Sequence, residues 1–275
     1  MRRTTLIAST ALLLAATASA WGQTRLDAKY SVYLTGIPIG QGAVILDVTE
    51  TGFAAAGSAK FTGLLRMVAK GEGTSTVRGT FANNRPWNTI YNMQSNSTER
   101  SEKVDITVQA GTVKTFSLVP PRKGEEEINR VPVLEAHLKN ALDPMSAGLL
   151  LVAGEGELIS PEACNRTLPI FDARIRYDVV LSFKSIEKLT KKIDGYNGPV
   201  VVCQARYVPV SGHRANHNSV KAMADNREIF IWLAPIEGTR ALVPIKVSIG
   251  TTLGTLVVEA TQFRTTPNRQ ALSPR

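Results

Sequence analysis

The chain has 275 residues, 43% of them hydrophobic and 20% charged, which is enough to bury one large β domain or two small ones. Its 32 Lys and Arg outweigh 23 Asp and Glu for a formal net charge of +9, but the basic residues are scattered along the chain. A scattered surplus reads as a solvated surface with a leaning toward anionic envelope material, and no aromatic-basic strand motif supports a nucleic-acid binder.

Residues 1–20 are expected to stand apart from the fold. Arg2 and Arg3, the apolar run Leu6 to Ala16 and the small residues Ala18-Ser19-Ala20 have the order of a secretory signal peptide, and the apolar run is too short to span a membrane. No later run is long enough to span one either. The expected organisation is a signal peptide over 1–20, a single β-rich domain over 21–265 and a flexible tail over 266–275, exported to the periplasm.

From Tyr30 the chain alternates, with Val32 and Leu34 on one side, then turns through Gly36-Ile37-Pro38-Ile39-Gly40 into a second run marked by Val44, Leu46 and Val48. Phe53 to Ala59 is a small, apolar strand where neighbours approach closely. Phe61, Leu64, Leu65 and Val68 are spaced for one face of a short helix, stopped at Gly71. Strand-like runs resume at Thr74 to Phe81, Trp87 to Gln94, Lys103 to Gln109 and Thr112 to Leu118, followed by the polar loop Pro120 to Glu127.

Two helices are predicted next. Pro132 opens one with Leu134, His137, Leu138, Ala141 and Leu142 on a face; Asp143 caps a second, buried one over Met145 to Val152 with Pro144 at its first position. Leu64, Leu65, Leu149 and Leu150 on these helices are placed to line the mouth of a cavity. Ser211 to Asn226 is polar with room for a helical turn, and three further runs, Glu228 to Ala234, Ala241 to Ile249 and Leu253 to Arg264, read as a meander.

The most informative stretch runs from Cys164 to Phe183. Ile175, Tyr177, Val179, Leu181 and Phe183 alternate with Arg174, Arg176, Asp178 and Ser182, as a half-buried strand requires. Cys164 and Cys203 are the only two cysteines, and in an oxidising compartment they are expected to form a disulfide. Asp172, Arg174, Arg176 and Asp178 make the most pointed polar group; paired guanidinium groups there suit a carboxylate or phosphate, and the plainer reading is cross-strand ion pairing, for example with Glu228 or Arg206.

Catalytic and metal chemistry leave little trace. No Gly-x-Ser-x-Gly turn is present, and Ser146 beside a helix start serves helix entry. His213 and His217 are four apart, but no third ligand follows at a recognisable spacing, so no metal or cofactor is expected. Gly250-Thr251-Thr252-Leu253-Gly254-Thr255 lacks the lysine of a phosphate loop and reads as a hairpin turn.

On Tyr30 to Gly40, Asp143 to Ala147, Phe171 to Asp178 and Pro244 to Leu256, the chain resembles a family of exported bacterial proteins known as domain of unknown function 3108. The resemblance implies an exported, mainly β protein and supplies no reaction. The expected fold is a large curved or barrel-like antiparallel sheet with two or three short helices, similar in outline to periplasmic carriers of lipoproteins. The leading functional expectation is a non-catalytic envelope protein that binds an apolar ligand or a partner protein, with a lipid, lipoprotein or envelope protein as the candidates. The alternatives are a structural or scaffolding module of the envelope, and an enzyme acting on cell-wall or lipid substrates through the Asp172 to Asp178 group.

Overall fold

The computed structural model describes residues 23–63, 70–121 and 129–268. The expected leader over 1–20 and the end of the expected tail lie outside them. Fourteen strands form one antiparallel sheet. Its first half is a meander of long strands: β1 (Gln23–Leu34), β2 (Ile37–Val48), β3 (Gly52–Phe61), β4 (Gly71–Ala82), β5 (Arg85–Ser97), β6 (Ser101–Gln109) and β7 (Thr112–Val119). The second half contains β8 (Leu150–Leu151), β9 (Arg166–Phe171), β10 (Arg176–Lys188), β11 (Pro199–Ser211), β12 (Ile229–Pro235), β13 (Ala241–Thr251) and β14 (Gly254–Asn268). The strand order is β7-β6-β5-β4-β3-β2-β1-β14-β13-β12-β11-β10-β9, with β8 paired to β13. The two halves are joined where β1 meets β14.

Turn chemistry fixes the first half. Thr35 and Gly36 both have positive φ (52° and 79°), which makes a two-residue hairpin between Leu34 and its partner Ile37. The turn is therefore tighter than the Gly36 to Gly40 segment predicted, and Ile37 already belongs to β2. From there strict alternation holds: Leu26, Leu46, Ala55, Val77, Tyr91 and Ile106 stand opposite one another in a single row across six strands. That row is the floor of the main core, with Leu26 and Ile106 at 1% exposure.

The second half is covered on both faces. Val200, Val201 and Val202 are each fully buried, although they alternate sides. Val200 packs into the main core, while Val201 joins a second cluster with Cys203, Ala205, Leu233 and Leu242. The cover for that second face comes from the segment 150–164: Leu150, Val152, Ala163 and Cys164 belong to the same cluster. The Cys164–Cys203 disulfide ties this segment to β11, with Cα atoms 5.4 Å apart, as expected from the cysteine count.

The sheet curls without a closing ladder. Its end strands β7 and β9 meet through side chains, where the Phe116 and Phe171 rings pack edge to face at 4.9 Å. Arg174, in the turn after β9, pairs with Glu102 of β6, which also takes Arg100 at 3.0 Å. The long connection from β7 to β9 spans this seam, and Leu142 makes a parallel bridge to Ile170.

Several expected elements differ. Phe61 ends β3 instead of starting a helix, and Leu64, Leu65 and Val68 lie outside the described residues. The helix from Pro132 is a single 3-10 turn, Glu135–Leu138, because the chain is needed to reach across the opening and an extended path covers more distance per residue. Met145 to Val152 holds only the turn Ser146–Gly148 before Leu150–Leu151 becomes β8, whose backbone groups find partners on β13 at Ala241 and Leu242. The one α-helix among the described residues, α1 (Asn218–Asp225), falls in the polar stretch where a helical turn was expected. β14 runs to Asn268, three residues into the stretch read as tail.

Candidate functional site

Where β1–β3 face β13 and β14, the curled sheet leaves an apolar cavity of about 300 Å³. Leu26, Val44, Leu46, Phe53 and Ala55 line one wall, Val243, Val247 and Val258 the other. Small side chains make the room: on β2 and β3 the positions facing inward above Leu46 are Val44 and Gly42, opposite Gly57 and Ala59. Met145 fills part of the space they leave, and a Cβ added to Gly57 would come within 3.2 Å of its Cε.

The floor of the cavity is a turn held by a buried carboxylate. Asp143 is fully buried, and its Oδ1 accepts the backbone N–H groups of Met145 (3.1 Å) and Ser146 (2.8 Å). Oδ2 accepts the hydroxyls of Ser146 (2.6 Å) and of Thr89 on β5 (2.9 Å). The predicted Asp143 cap is therefore present, but it caps one turn and anchors it to the sheet. Ser146 is fully buried with its hydroxyl committed to Asp143, which leaves it the structural role read from its position. Leu149 lines the cavity. Leu150 does not: it faces the second cluster, because the two residues point to opposite sides where β8 begins.

One polar group reaches the cavity from β1. The Tyr30 hydroxyl donates to Pro244 O at 2.9 Å, and burial pushes its pKa well above the usual tyrosine range, so it stays a neutral donor with its hydrogen committed. The site offers an apolar molecule contact surface and almost no competing polar chemistry.

On the opposite face of β1–β7 lies a second, larger concavity of about 1020 Å³. Its side chains come from two neighbouring cross-strand rows. Lys29, Ala43, Ser58, Thr74, Gln94 and Lys103 form one, and Ser31, Gln41, Lys60, Glu72, Asn96 and Ser101 the other. Both rows leave the sheet away from the face that carries Leu46 and Ile106.

The predicted polar group is divided among three structural tasks. Asp172 Oδ1 accepts the N–H groups of Arg174 and Ile175, both at 2.8 Å, and closes the turn between β9 and β10 in which Ala173 has φ 71°. The strand thus begins at Arg176, two residues later than expected. Arg174 holds the seam through Glu102. Arg176, 8% exposed, donates to Asp178 Oδ1 and to Tyr177 O, both at 2.7 Å. The ion-pair reading of this group is the one the geometry carries, with Glu102 and Asp178 as partners in place of Glu228 or Arg206. None of the four lines either concavity. Phe183, predicted inward, keeps the side of Leu181 and stands opposite Cys203, yet it is 38% exposed; the bulge in β10 comes after it, between Phe183 and Ser185.

His217 Nδ1 lies 2.7 Å from Ser219 Oγ at the start of α1. Among the described residues no group of three or more His, Cys, Asp or Glu is placed to hold a metal, and no helix is long and apolar enough to cross a membrane.

Missed by the sequence reading were Tyr30, the inward small residues and both polar rows. Gly40, Gly42, Gly57 and Ala59 do carry a readable signal, which is small size repeated with a period of two on neighbouring strands.

A curled antiparallel sheet that keeps an apolar cleft on one side and a polar trough on the other defines a barrel-like fold. Residues 29–261 match the model of the family described as "Protein of unknown function (DUF3108)", and the chain belongs to that family. Among solved structures it is similar to a beta-barrel-like protein of domain of unknown function DUF1849 from Brucella abortus, with a TM-score of 0.50 and 10% identity over 91% of this chain and 100% of that one. That likeness concerns the fold. No curated protein matches the chain.

Proposed function

We propose that the protein is a non-catalytic component of the bacterial envelope, exported to the periplasm, that holds an apolar ligand such as an acyl chain. The observation that supports it is the 300 Å³ cavity, whose lining is aliphatic and aromatic apart from Tyr30 and Lys246. Cavities of this size and character take small apolar molecules, and a cavity lined this way gives no nucleophile or acid–base pair to act on them. The disulfide and the leader-like residues 1–20 fit the exported location.

The test is extraction of the gently purified protein followed by mass spectrometry, together with displacement of a fluorescent fatty acid. The wild type is expected to carry lipid and to bind the probe. Ala55→Phe, which fills the cavity from β3, is expected to lose both while still unfolding cooperatively. Wild-type protein that carries no lipid and does not bind the probe overturns the reading, and cell fractionation that places the protein in the cytosol overturns the location.

A further inference from the structure

The polar trough is larger than the apolar cavity and differs from the rest of its own sheet face. Elsewhere on that face several polar side chains of neighbouring strands satisfy one another, although Arg78 does not take part. Arg25 pairs with Asp47 at 3.5 Å, Asp105 accepts from Asn92 (2.5 Å) and Ser117 (3.0 Å), and Asn88 donates to Thr80 at 3.0 Å. In the trough Lys29, Lys60, Lys103, Gln41, Gln94 and Glu72 make no side-chain hydrogen bond or ion pair with any described residue. Lys60 and Glu72 stand directly opposite each other in register and still do not pair. Between its two rows the trough floor is backbone, at Gly42, Ala59 and Gly73, positions that face the other side of the sheet.

We propose that this trough is a binding site for an extended anionic glycan, a chain of sugar units bearing carboxylates. Three lysines stand there against Glu72 and Glu102, and Glu102 is already paired with Arg174 and Arg100, so the local charge favours an anion. Ammonium groups suit carboxylates, and the side-chain amides and hydroxyls of Gln41, Gln94, Ser58 and Thr74 suit sugar hydroxyls, since both partners donate and accept. The trough crosses the strands of β1–β7, a span of about 30 Å at ~4.8 Å per strand spacing, which is the reach of a linear polymer.

Other partners fit less well. A peptide recognised by sheet addition needs a free strand edge, and here the backbone groups are spent on the ladder in mid-sheet. A lipid surface is flat where the trough is concave. A single-stranded nucleic acid binds through aromatic platforms for its bases, and neither polar row contains one.

The experiment measures binding of oligogalacturonate, a defined polyuronate, to the processed full chain by fluorescence anisotropy, with dextran of equal length as neutral control. Wild-type protein is expected to bind the polyuronate, weaken with added salt and ignore dextran. The combined variant Lys29→Gln, Lys60→Gln, Lys103→Gln is expected to lose about tenfold in affinity, since each exposed charge contact contributes roughly twofold. Lys114→Gln, Lys188→Gln, Lys192→Gln changes net charge equally at exposed positions away from the trough and is expected to stay within about twofold of wild type. Equal losses in the two triple variants, no measurable binding by wild type, or tighter binding of single-stranded DNA of matched charge would each overturn the proposal. Fatty-acid binding by the trough variant is expected to match wild type, which separates this site from the apolar cavity.

Discussion

The two halves of the sheet solve burial differently. β1–β7 cover one face and leave the other to solvent, so a residue's parity decides its environment: Tyr91 is 6% exposed and its neighbour Ile90 is 41% exposed. In β11–β13 parity decides nothing, since Val200, Val201 and Val202, or Ala241 and Leu242, are all at 0%. The difference lies in what each half carries on its back. The first carries only a polar trough, while the second carries the segment 150–164, bound covalently. Alternating runs mark a sheet with one wet face and continuous runs one that is dry on both.

The largest expected effect tests the covalent cover. Cys203→Ala removes a crosslink between residues 39 apart, and loop-closure entropy puts the loss at about 4 kcal/mol. Hydrogen exchange of the variant is expected to show earlier opening at 150–164 and in β11 than in β2–β5. Uniform loss of protection would mean that the cover and the first half form one cooperative unit.

Next comes a matched pair of truncations. Leu233→Ala, at a fully buried position of the second cluster, is expected to cost about 3 kcal/mol, whereas Ile90→Ala on the wet face is expected to cost under about 0.5 kcal/mol. Urea midpoints at constant m settle both. A costly Ile90→Ala would mean that the open face of β5 is covered by something in solution.

The smallest effect is alkaline. Burial first, then the charges of Asp143 and Asp172, push the Tyr91 hydroxyl up to about 12. A folded pKa raised above the unfolded value of about 10 favours the protonated folded state, so this stability is complete below pH ~10 and is lost as pH climbs toward about 12. The loss from this group is about 2–3 kcal/mol, and Tyr91→Phe is expected to remove that share from the pH dependence of the urea midpoint.

The legibility of the sequence follows the same division. Along β1–β7 parity put Val44, Leu46 and Val48 on one face, and the two-cysteine count located the tie between the segment 150–164 and β11. Between residues 132 and 152 apolar spacing suggested helices that tertiary demand overrode: the chain has to cross the opening and then give β13 a partner strand. Phe183 has the parity read for it and is still exposed, because parity fixes a side and not whether that side is covered. Leu149 and Leu150 were read as sharing one cavity mouth, and the structure sends them to opposite sides, since one-residue parity at a two-residue strand cannot be read from composition. The polar group at Asp172 to Asp178 drew notice as a possible site because charge is conspicuous in sequence; the trough did not, because Ser, Thr and Gln on separate strands become a constellation only once register is known.

The pairing of β1 with β14 joins the two ends of the described chain in the middle of the sheet, from Leu34 against Leu256 to Gln23 against Asn268. A chain emerging from its N-terminus can build the meander β1–β7 at once, but its halves cannot unite until the final strand has been delivered. The same geometry makes the ends near neighbours. A short linker between them, with new ends cut at the exposed Thr251-Thr252-Leu253 hairpin, would give a circularly permuted molecule in which the last strand to arrive becomes the first.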